Sequence, residues 1–297
     1  MPQNVLITGG SGFIGRNVFE YLKNKPQYNV FAPDSKELNC IDENAVKSYL
    51  EKNNIDIVLN FAVYGDGIDK SKDGTKILEY NLRMYYNFAK YSHMYKRMIY
   101  TGSGAEYDKR YPIVDVKEEE LFERMLPNDQ YGLMKRIVGE DIEKSDNIYN
   151  FRLFGIFGKY EFYPLKFISN VCCKSIYNLP LTIRQDVYFD YLWIDDFIAV
   201  LDKFLLINKP EYHTYNVCHG KKILLSEICK TVNKVSGKNN EIIICRDGFA
   251  NEYSGNSERI SGELGGFDFT DYEESIEKLY RWYETQKNSI DIYNLIY

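Results

Sequence analysis

The 297-residue sequence lacks two features that would place it in or across a membrane. It has no apolar run of about 18 residues and no basic N-terminal segment followed by a short apolar stretch, so neither a membrane span nor a secretory signal is expected. Basic residues are also outnumbered by acidic ones: the formal net charge is −6 and the isoelectric point is about 5.3. This balance argues against binding to nucleic acid or to a membrane surface, and we expect a cytoplasmic protein.

Metal-binding patterns are missing as well. The six cysteines never occur in a CxxC or zinc-finger spacing, and there are only three histidines. We therefore expect reduced cysteines and no metal centre. What the chain does contain is 44 % apolar residues, enough for a packed interior, and 27 tyrosines, which suit helix faces and an aromatic cleft. Its length favours one large domain with a smaller one attached.

A glycine-rich turn near the N-terminus organises the rest of the chain. Residues 4–8 form an apolar run with the length of a buried parallel strand, and three glycines follow at intervals of three residues. The first glycine permits a tight turn, the second lets the backbone approach a pyrophosphate, and the third allows close helix–strand packing. A helix predicted over 16–25 would direct its N-terminal N–H groups at phosphate oxygens. We assign to a dinucleotide cofactor the turn residues Gly9, Gly12, Phe13, Ile14 and Gly15.

Strand-like and helix-like segments alternate after this turn. Further strands are predicted at 29–33, 55–61, 96–101 and 150–154, and helices at 43–52, 78–95 and from about 130 to 144. The alternation predicts an α/β fold with a Rossmann-type doubly wound parallel sheet that binds ligands at its carboxyl edge. We assign residues 1–158 to this NAD(P)-binding domain. Residues 159–297 are expected to form mainly a smaller α+β substrate domain, with segments around 186–217 returning to the first domain.

Several shorter predictions concern the segments between and after these elements. The charge run at 117–120 is interpreted as part of a solvated loop of roughly 20 residues. Downstream, we predict helices at 164–176, 194–206, 226–235 with a serine cap, and 276–284, and strands at 181–184, 188–192, 214–217 and 242–245.

The end of the second predicted strand is where the adenosine ribose of a dinucleotide would lie. Asp34, Ser35 and Lys36 follow this strand. An acid there favours a free 2′-hydroxyl, whereas a cation favours a 2′-phosphate, so these residues leave both NAD and NADP open. Asp42 either contacts the adenine or caps the following helix.

Three residues carry the pattern of a proton-transfer site. Ser103 follows the predicted fourth strand, and Tyr131 and Lys135 lie one helical turn apart at the start of the next helix. A tyrosine that exchanges a proton with a carbonyl or hydroxyl group needs a phenol pKa below its usual value of about 10. A nearby ammonium group lowers that pKa, and a hydroxyl group at the strand end can bond the same substrate oxygen. Alone, a Tyr-x-x-x-Lys pair is an ordinary helix face; its order after the glycine turn and the serine favours catalysis.

This ordered set resembles the extended short-chain dehydrogenase/reductase superfamily, also called the NAD-dependent epimerase/dehydratase superfamily. The matching segments are Thr8 to Gly15, Asn60 to Ala62, Asn81, Ser103 with Tyr107, Tyr131 with Lys135, Arg152 to Gly158, and Trp193 to Asp196. The resemblance implies that Tyr131 is the acid/base, that Lys135 holds both this tyrosine and the nicotinamide ribose, and that Ser103 binds the substrate oxygen. It further implies that Asn81 joins the active-site network and that Phe61 and Ala62 line the cofactor. Members act mostly on nucleotide-linked sugars and commonly form homodimers through the helices predicted at 78–95 and 131–144.

Within the superfamily the chain looks most like the GDP-fucose synthase group. Residues 62–68 and 121–128 resemble segments of that group, and Ser35 and Lys36 fall where it meets the NADP 2′-phosphate. The resemblance therefore favours NADPH. The cysteine and histidine with which the group inverts C3 and C5 are replaced here by Ala105 and Tyr160. Alanine carries no proton, and an ordinary phenol is mostly protonated at neutral pH.

We therefore predict NADPH-dependent reduction of the C4 keto group of a nucleotide-activated deoxysugar, without inversion at C3 or C5. One alternative is an NAD-dependent nucleotide-sugar 4-epimerase that uses the same residues. Another is a non-catalytic dinucleotide-binding scaffold. The base and the sugar are left open. The residues predicted to contact the substrate are Ser103, Tyr107, Lys166 and Arg184.

Overall fold

The computed structural model describes residues 2–65 and 73–296 of the chain. The strands, in chain order, are β1 (Gln3–Thr8), β2 (Tyr28–Phe31), β3 (Ile57–Asn60), β4 (Arg97–Ser103), β5 (Ile113–Val116), β6 (Ile148–Leu153), β7 (Gly155–Phe157), β8 (Leu181–Ile183), β9 (Tyr188–Trp193), β10 (Thr214–Val217), β11 (Lys222–Leu224), β12 (Ile242–Ile244) and β13 (Tyr253–Gly255). The helices are α1 (Phe13–Leu22), α2 (Glu43–Asn53), α3 (Ile77–Ala89), α4 (Gln130–Ile142), α5 (Phe167–Ile176), α6 (Ile194–Leu206), α7 (Leu225–Ser236), α8 (Glu258–Glu263), α9 (Tyr272–Thr285) and α10 (Tyr293–Ile296). Within these ranges, no helix is long and apolar enough to cross a membrane.

A six-stranded sheet in the order β10-β6-β4-β3-β1-β2 forms the centre of the fold, and all of its pairings are parallel. The chain runs from β1 to β2 on one side and then returns to β3 on the other side. The strand order therefore reverses between β1 and β3, where open α/β sheets bind ligands. The predicted Rossmann-type fold is confirmed.

Helices cover both faces of this sheet, which explains why its strands are apolar at consecutive positions. In β1, Val5 and Ile7 pack with Val18 of α1 on one face. Leu6, which points the opposite way, belongs to the buried cluster on the other face, which includes Leu50 of α2 and Val138 of α4. A continuous apolar run is the pattern that this two-sided burial requires.

A second sheet joins parts of the chain that are distant in sequence. It has the order β11-β9-β13-β5, and β7 pairs with β9 beside it. The charge run at 117–120 follows β5 directly. Lys117 and Glu119 are exposed, as the interpretation as a solvated segment requires, but this interpretation is wrong for Glu118. Glu118 is buried because its carboxylate accepts a hydrogen bond of 2.7 Å from the backbone N–H of Asn216.

Other differences concern helix boundaries. The first helix begins at Phe13 rather than at residue 16, because Gly12 already serves as its N-cap. The third helix ends at Ala89 rather than near residue 95. Ser226 does not cap the helix predicted over 226–235; it lies inside α7, and Glu227 instead accepts from the N–H of Leu224 at 3.1 Å. The strand predicted at 214–217 is confirmed as β10.

Candidate active site

A cavity of about 800 Å³ lies at the carboxyl edge of the parallel sheet. Its wall is formed by the turn after β1, the ends of β3, β4 and β6, the start of α4, and the segment that leads into α5. The predicted site residues in this wall are Gly9, Gly12, Phe13, Ile14, Gly15, Phe61, Ala62, Ser103, Tyr131, Lys135 and Lys166. The fold thus brings the glycine turn and the proton-transfer residues into one space.

The turn after β1 has the shape that a dinucleotide pyrophosphate needs. Gly9 has a φ of +68°, a backbone conformation that favours glycine, and a Cβ atom at Gly15 would collide with the carbonyl oxygen of Gly9. Among the described residues, no side chain caps the start of α1. The first-turn N–H groups, which have no partner within the helix, are therefore available to phosphate oxygens. These residues fit a nicotinamide dinucleotide.

The end of β2 lies next to this turn but outside the cavity wall. The carboxylate of Asp34 accepts hydrogen bonds from the N–H groups of Lys36, at 2.7 Å, and Glu37, at 3.0 Å. Ser35 and Lys36 are exposed. Asp42 caps α2 by accepting from two backbone N–H groups. Capping is therefore the role that the structure assigns to Asp42, and the adenosine contacts of these residues stay predictions.

The ammonium group of Lys135 is buried between β4 and the start of α4. Its Nζ donates a hydrogen bond of 2.6 Å to the carbonyl oxygen of Thr101 and lies 5.6 Å from the ring centroid of Tyr131. Burial lowers the pKa of Lys135 to about 8, although the charge of Glu106 acts in the opposite direction. A positive charge held here stabilises a phenolate at Tyr131.

Ser103 is held at the end of β4 by hydrogen bonds from both directions. Its Oγ accepts from the N–H of Ala105 at 3.1 Å, and its own N–H donates to Oε1 of Glu106 at 3.0 Å. Tyr131 lies in the first turn of α4, which Asp129 caps by accepting from the N–H of Gly132 at 2.8 Å. Strand end and helix start therefore present the serine and the tyrosine to the same cavity.

A sealed polar network lies directly behind this wall. Glu106 and Arg152 form an ion pair of 2.8 Å, with side chains that are 0 % and 1 % exposed. Arg152 also donates to the hydroxyl oxygen of Tyr107 at 2.7 Å, and that hydroxyl group donates to the carbonyl oxygen of Lys117 at 3.1 Å. Tyr107 is fully buried and lies outside the cavity wall. The expectation that Tyr107 contacts the substrate is corrected, because its hydroxyl group is already engaged in this network.

The remaining predicted residues have different positions. Asn81 is buried on α3, and its carboxamide bonds the N–H and carbonyl groups of Tyr64, so it fixes the loop after β3. Its place in the active-site network stays a prediction. Arg184 is exposed after β8, which pairs with β12 in a separate two-stranded sheet, and lies outside the cavity wall. Its substrate contact stays a prediction. The motif predicted over residues 62–68 extends beyond the described residues after Gly65.

Two residues near the site were missed by the sequence reasoning. Glu161 lines the cavity between β7 and α5, and burial raises the pKa of its carboxyl group to about 7. Tyr253 of β13 packs its ring against Phe154 and Phe189, and its hydroxyl group lies beside Ser103. Neither residue belongs to a local motif, since only strand pairing and the packing of α5 bring them to the site.

Taken together, a parallel sheet with a phosphate-binding glycine turn and a Ser/Tyr/Lys set in one cavity defines a nicotinamide-dependent enzyme of the short-chain dehydrogenase/reductase class. The chain belongs to the NAD dependent epimerase/dehydratase family, whose sequence model matches residues 5–218. It is accordingly an NAD(P)-dependent enzyme of the epimerase, reductase and dehydratase group.

The following relatives are distant in sequence but cover nearly the whole chain. GDP-L-colitose synthase of Yersinia pseudotuberculosis is 22 % identical over 317 residues, which cover 96 % of this chain and 99 % of that protein. The solved structure of GDP-mannoheptose C4 reductase from Campylobacter jejuni, with NADP bound, matches with a TM-score of 0.80 at 17 % identity and covers 95 % of this chain and 98 % of its own. A GDP-L-fucose synthetase from Naegleria fowleri, bound to NADP, matches with a TM-score of 0.79 at 18 % identity and 97 % and 95 % coverage. These structures share the fold of this chain.

Proposed function

We propose that this protein uses NADPH to reduce the C4 keto group of a nucleotide-activated deoxysugar, without inverting C3 or C5. The observation that carries the proposal is that Ser103, Tyr131 and Lys135 share one cavity with the glycine turn. The names of the relatives, which include a GDP-mannoheptose C4 reductase and GDP-L-colitose synthase, support a nucleotide-sugar substrate. The exposed Ser35 and Lys36 favour the 2′-phosphate of NADPH.

Each of the three residues has a separate task in this reaction. NADPH supplies the hydride when it is bound. Tyr131 transfers its phenolic proton to the oxygen at C4, and the ammonium group of Lys135 stabilises the resulting phenolate. Ser103 donates its hydroxyl hydrogen to the same oxygen, because a keto oxygen can only accept, while its Oγ accepts from the N–H of Ala105.

Retention at C3 and C5 is supported by the two positions where the resembling group carries its inverting residues. Ala105 is buried and has no ionisable group. The hydroxyl group of Tyr160 donates to the carboxylate of Glu20 at 3.0 Å, and burial raises the pKa of this phenol further. A phenol in this state does not remove a proton from carbon at neutral pH.

Substrate binding is assigned to the part of the cavity wall that precedes α5. Lys166 lies in this wall, and we propose that its ammonium group contacts the diphosphate of the substrate. A homodimer is kept as a prediction.

The test is turnover of the purified protein with NADPH and GDP-, UDP- and dTDP-linked 4-keto-6-deoxy sugars in D₂O. We expect one NADPH to be oxidised per sugar reduced, with no deuterium at C3 or C5 of the product. Interconversion of 4-epimers by protein purified with bound NAD, without NADPH consumption, would instead identify a 4-epimerase. Cofactor binding with no turnover of any sugar would leave only the scaffold interpretation.

A further inference from the structure

Among the buried acids of the described residues, Glu161 is the one that lines the candidate cavity. The carboxylates of Glu106, Glu118 and Asp190 are paired with an arginine or with backbone N–H groups inside the protein. Glu161 is also buried, with 7 % exposure, yet it lines the cavity that holds Ser103 and Tyr131.

Only one of the two carboxyl oxygens of Glu161 is bonded within the described part of the chain. Oε2 accepts a hydrogen bond of 2.6 Å from Oγ of Ser169 in α5. No described residue donates a hydrogen bond of good geometry to Oε1, although the charge of Lys166 and the backbone at Gly158 also stabilise the ionised carboxylate. Oε1 is not one of the enclosed polar atoms that lack a partner, so it can take a hydrogen bond from a ligand or from water in the cavity.

The backbone around Glu161 is held in place from both sides. Its N–H donates to the carbonyl oxygen of Gly158 at 3.4 Å, and its carbonyl oxygen accepts from the hydroxyl group of Tyr283 in α9 at 3.5 Å. The preceding Lys159 is tied to α1 through Asn17 at 2.8 Å. The carboxyl group is therefore presented by a fixed segment, as a recognition group requires.

The side chains around Glu161 indicate which ligand group can donate a hydrogen bond to its carboxylate. Apolar and aromatic side chains share this part of the wall, among them Phe162, Leu165 and Tyr191. Such a wall packs against the C–H faces of a sugar ring and leaves the hydroxyl groups in need of acceptors. A carboxyl oxygen is a strong acceptor for a hydroxyl hydrogen.

We infer that Glu161 is a substrate-recognition residue whose Oε1 accepts a hydrogen bond from a ring hydroxyl group of the nucleotide-linked sugar. This inference rests on the proposed function, because it takes the sugar to occupy this cavity. In this arrangement Lys166 holds the diphosphate and Glu161 selects the hydroxyl pattern, while Ser103 and Tyr131 act on the oxygen at C4.

The test measures binding rather than turnover, so that it does not depend on which reaction follows. Calorimetry is performed on the protein–NADP⁺ complex with GDP-mannose, UDP-glucose and dTDP-glucose, and then with the 2-, 3- and 6-deoxy analogues of the tightest ligand. Glu161→Leu should weaken binding of the parent sugar about 10- to 100-fold, the effect of losing one hydrogen bond to a charged group. Glu161→Gln, which keeps an acceptor, should show a smaller loss.

The deoxy analogues isolate the contact itself. For one analogue, removal of the hydroxyl group should weaken binding to the wild type but leave binding to Glu161→Leu unchanged, as a double-mutant cycle requires. Glu20→Gln serves as the matched control, since this carboxylate holds Tyr160 of the same segment but lies outside the cavity wall. It should bind sugar and NADP⁺ like the wild type.

Several outcomes would overturn the inference, and they are distinguishable. Equal binding of the parent sugar to the wild type and to Glu161→Leu, with NADP⁺ affinity retained, would reject it while leaving the proposed function intact. If Glu161→Leu no longer binds NADP⁺, binding of the parent sugar is compared between the wild type and Glu161→Gln instead, and that comparison decides whether the inference holds. Deuterium exchange at C3 or C5 that is lost in Glu161→Gln would replace the recognition role with that of a base. Failure of all three sugars to bind the wild-type complex would reject the proposed function as well.

Discussion

The two sides of the β4 end differ in how their polar groups are paired, although neighbouring residues build them. On the inner side, Glu106, Arg152 and Tyr107 bond one another and the backbone, and all three are excluded from solvent. On the outer side, Ser103 and Tyr131 face a cavity of about 800 Å³. The inner groups are consumed by the structure, whereas the outer groups keep capacity for a ligand.

This difference shows how one short turn serves both stability and chemistry. Residues 103–107 contribute a cavity-facing hydroxyl group and, three residues later, a buried carboxylate that accepts from the serine's own N–H. The ion pair with Arg152 holds that carboxylate and so fixes the backbone that positions Ser103. The following predictions test whether the two sides are functionally separate, beginning with the largest effect.

Tyr131→Phe should lower kcat about 100- to 10,000-fold, the range for loss of a general acid, with little change in melting temperature. The measurements are NADPH oxidation with the sugar that the wild type reduces and thermal unfolding. Near-normal turnover by this variant would remove Tyr131 from the reaction.

Arg152→Met should lower the free energy of unfolding by about 3–5 kcal/mol, because Glu106 is left as an unpaired buried charge. Denaturant unfolding gives the value. Lys96→Met is the matched control, since its ion pair with Asp56 is solvent-exposed and should contribute at most about 1 kcal/mol. Equal effects of the two substitutions would contradict the view that burial makes the inner network structural.

The pH dependence of kcat should report the state of Lys135. Its pKa is lowered to about 8, so the ammonium group is present below this value and is lost as the pH rises through it. Reduction should therefore slow above about pH 8, because the charge that supports the Tyr131 phenolate disappears. In Lys135→Met the remaining activity should be low and should lack this dependence on lysine deprotonation. A wild-type rate that increases from pH 8 to pH 10 would contradict the assigned role.

Tyr107→Phe should have the smallest effect on catalysis. Loss of the hydroxyl group leaves Arg152 and the carbonyl oxygen of Lys117 with one partner fewer, which should cost about 1–3 kcal/mol of stability. The KM for the sugar should not change in steady-state measurements. A raised KM with unchanged stability would return Tyr107 to the substrate contacts and break the separation between the two sides.

The predictions from the sequence agree with the structure at the cavity-facing residues and differ from it at the buried ones. Ser103, Tyr131 and Lys135 were predictable because each belongs to a local pattern, either a strand end or one turn of helix, whose order along the chain is informative. Tyr107 was misassigned because its four-residue distance from Ser103 does not reveal which way the turn rotates its side chain. The charged neighbours of Glu118 predict a solvated side chain, but its hydrogen-bond partner Asn216, 98 residues away along the chain, buries it.

What the sequence determined by itself was the parallel sheet and the phosphate-binding turn. Two-sided burial demands apolar runs, and close backbone contacts demand glycine at particular positions, so both leave marks that are readable along the chain. Only the tertiary structure determined which polar side chains are buried away from solvent and which can contact a ligand. That choice depends on strand register and on helix packing, which place Glu161 in the cavity wall and Tyr107 behind it.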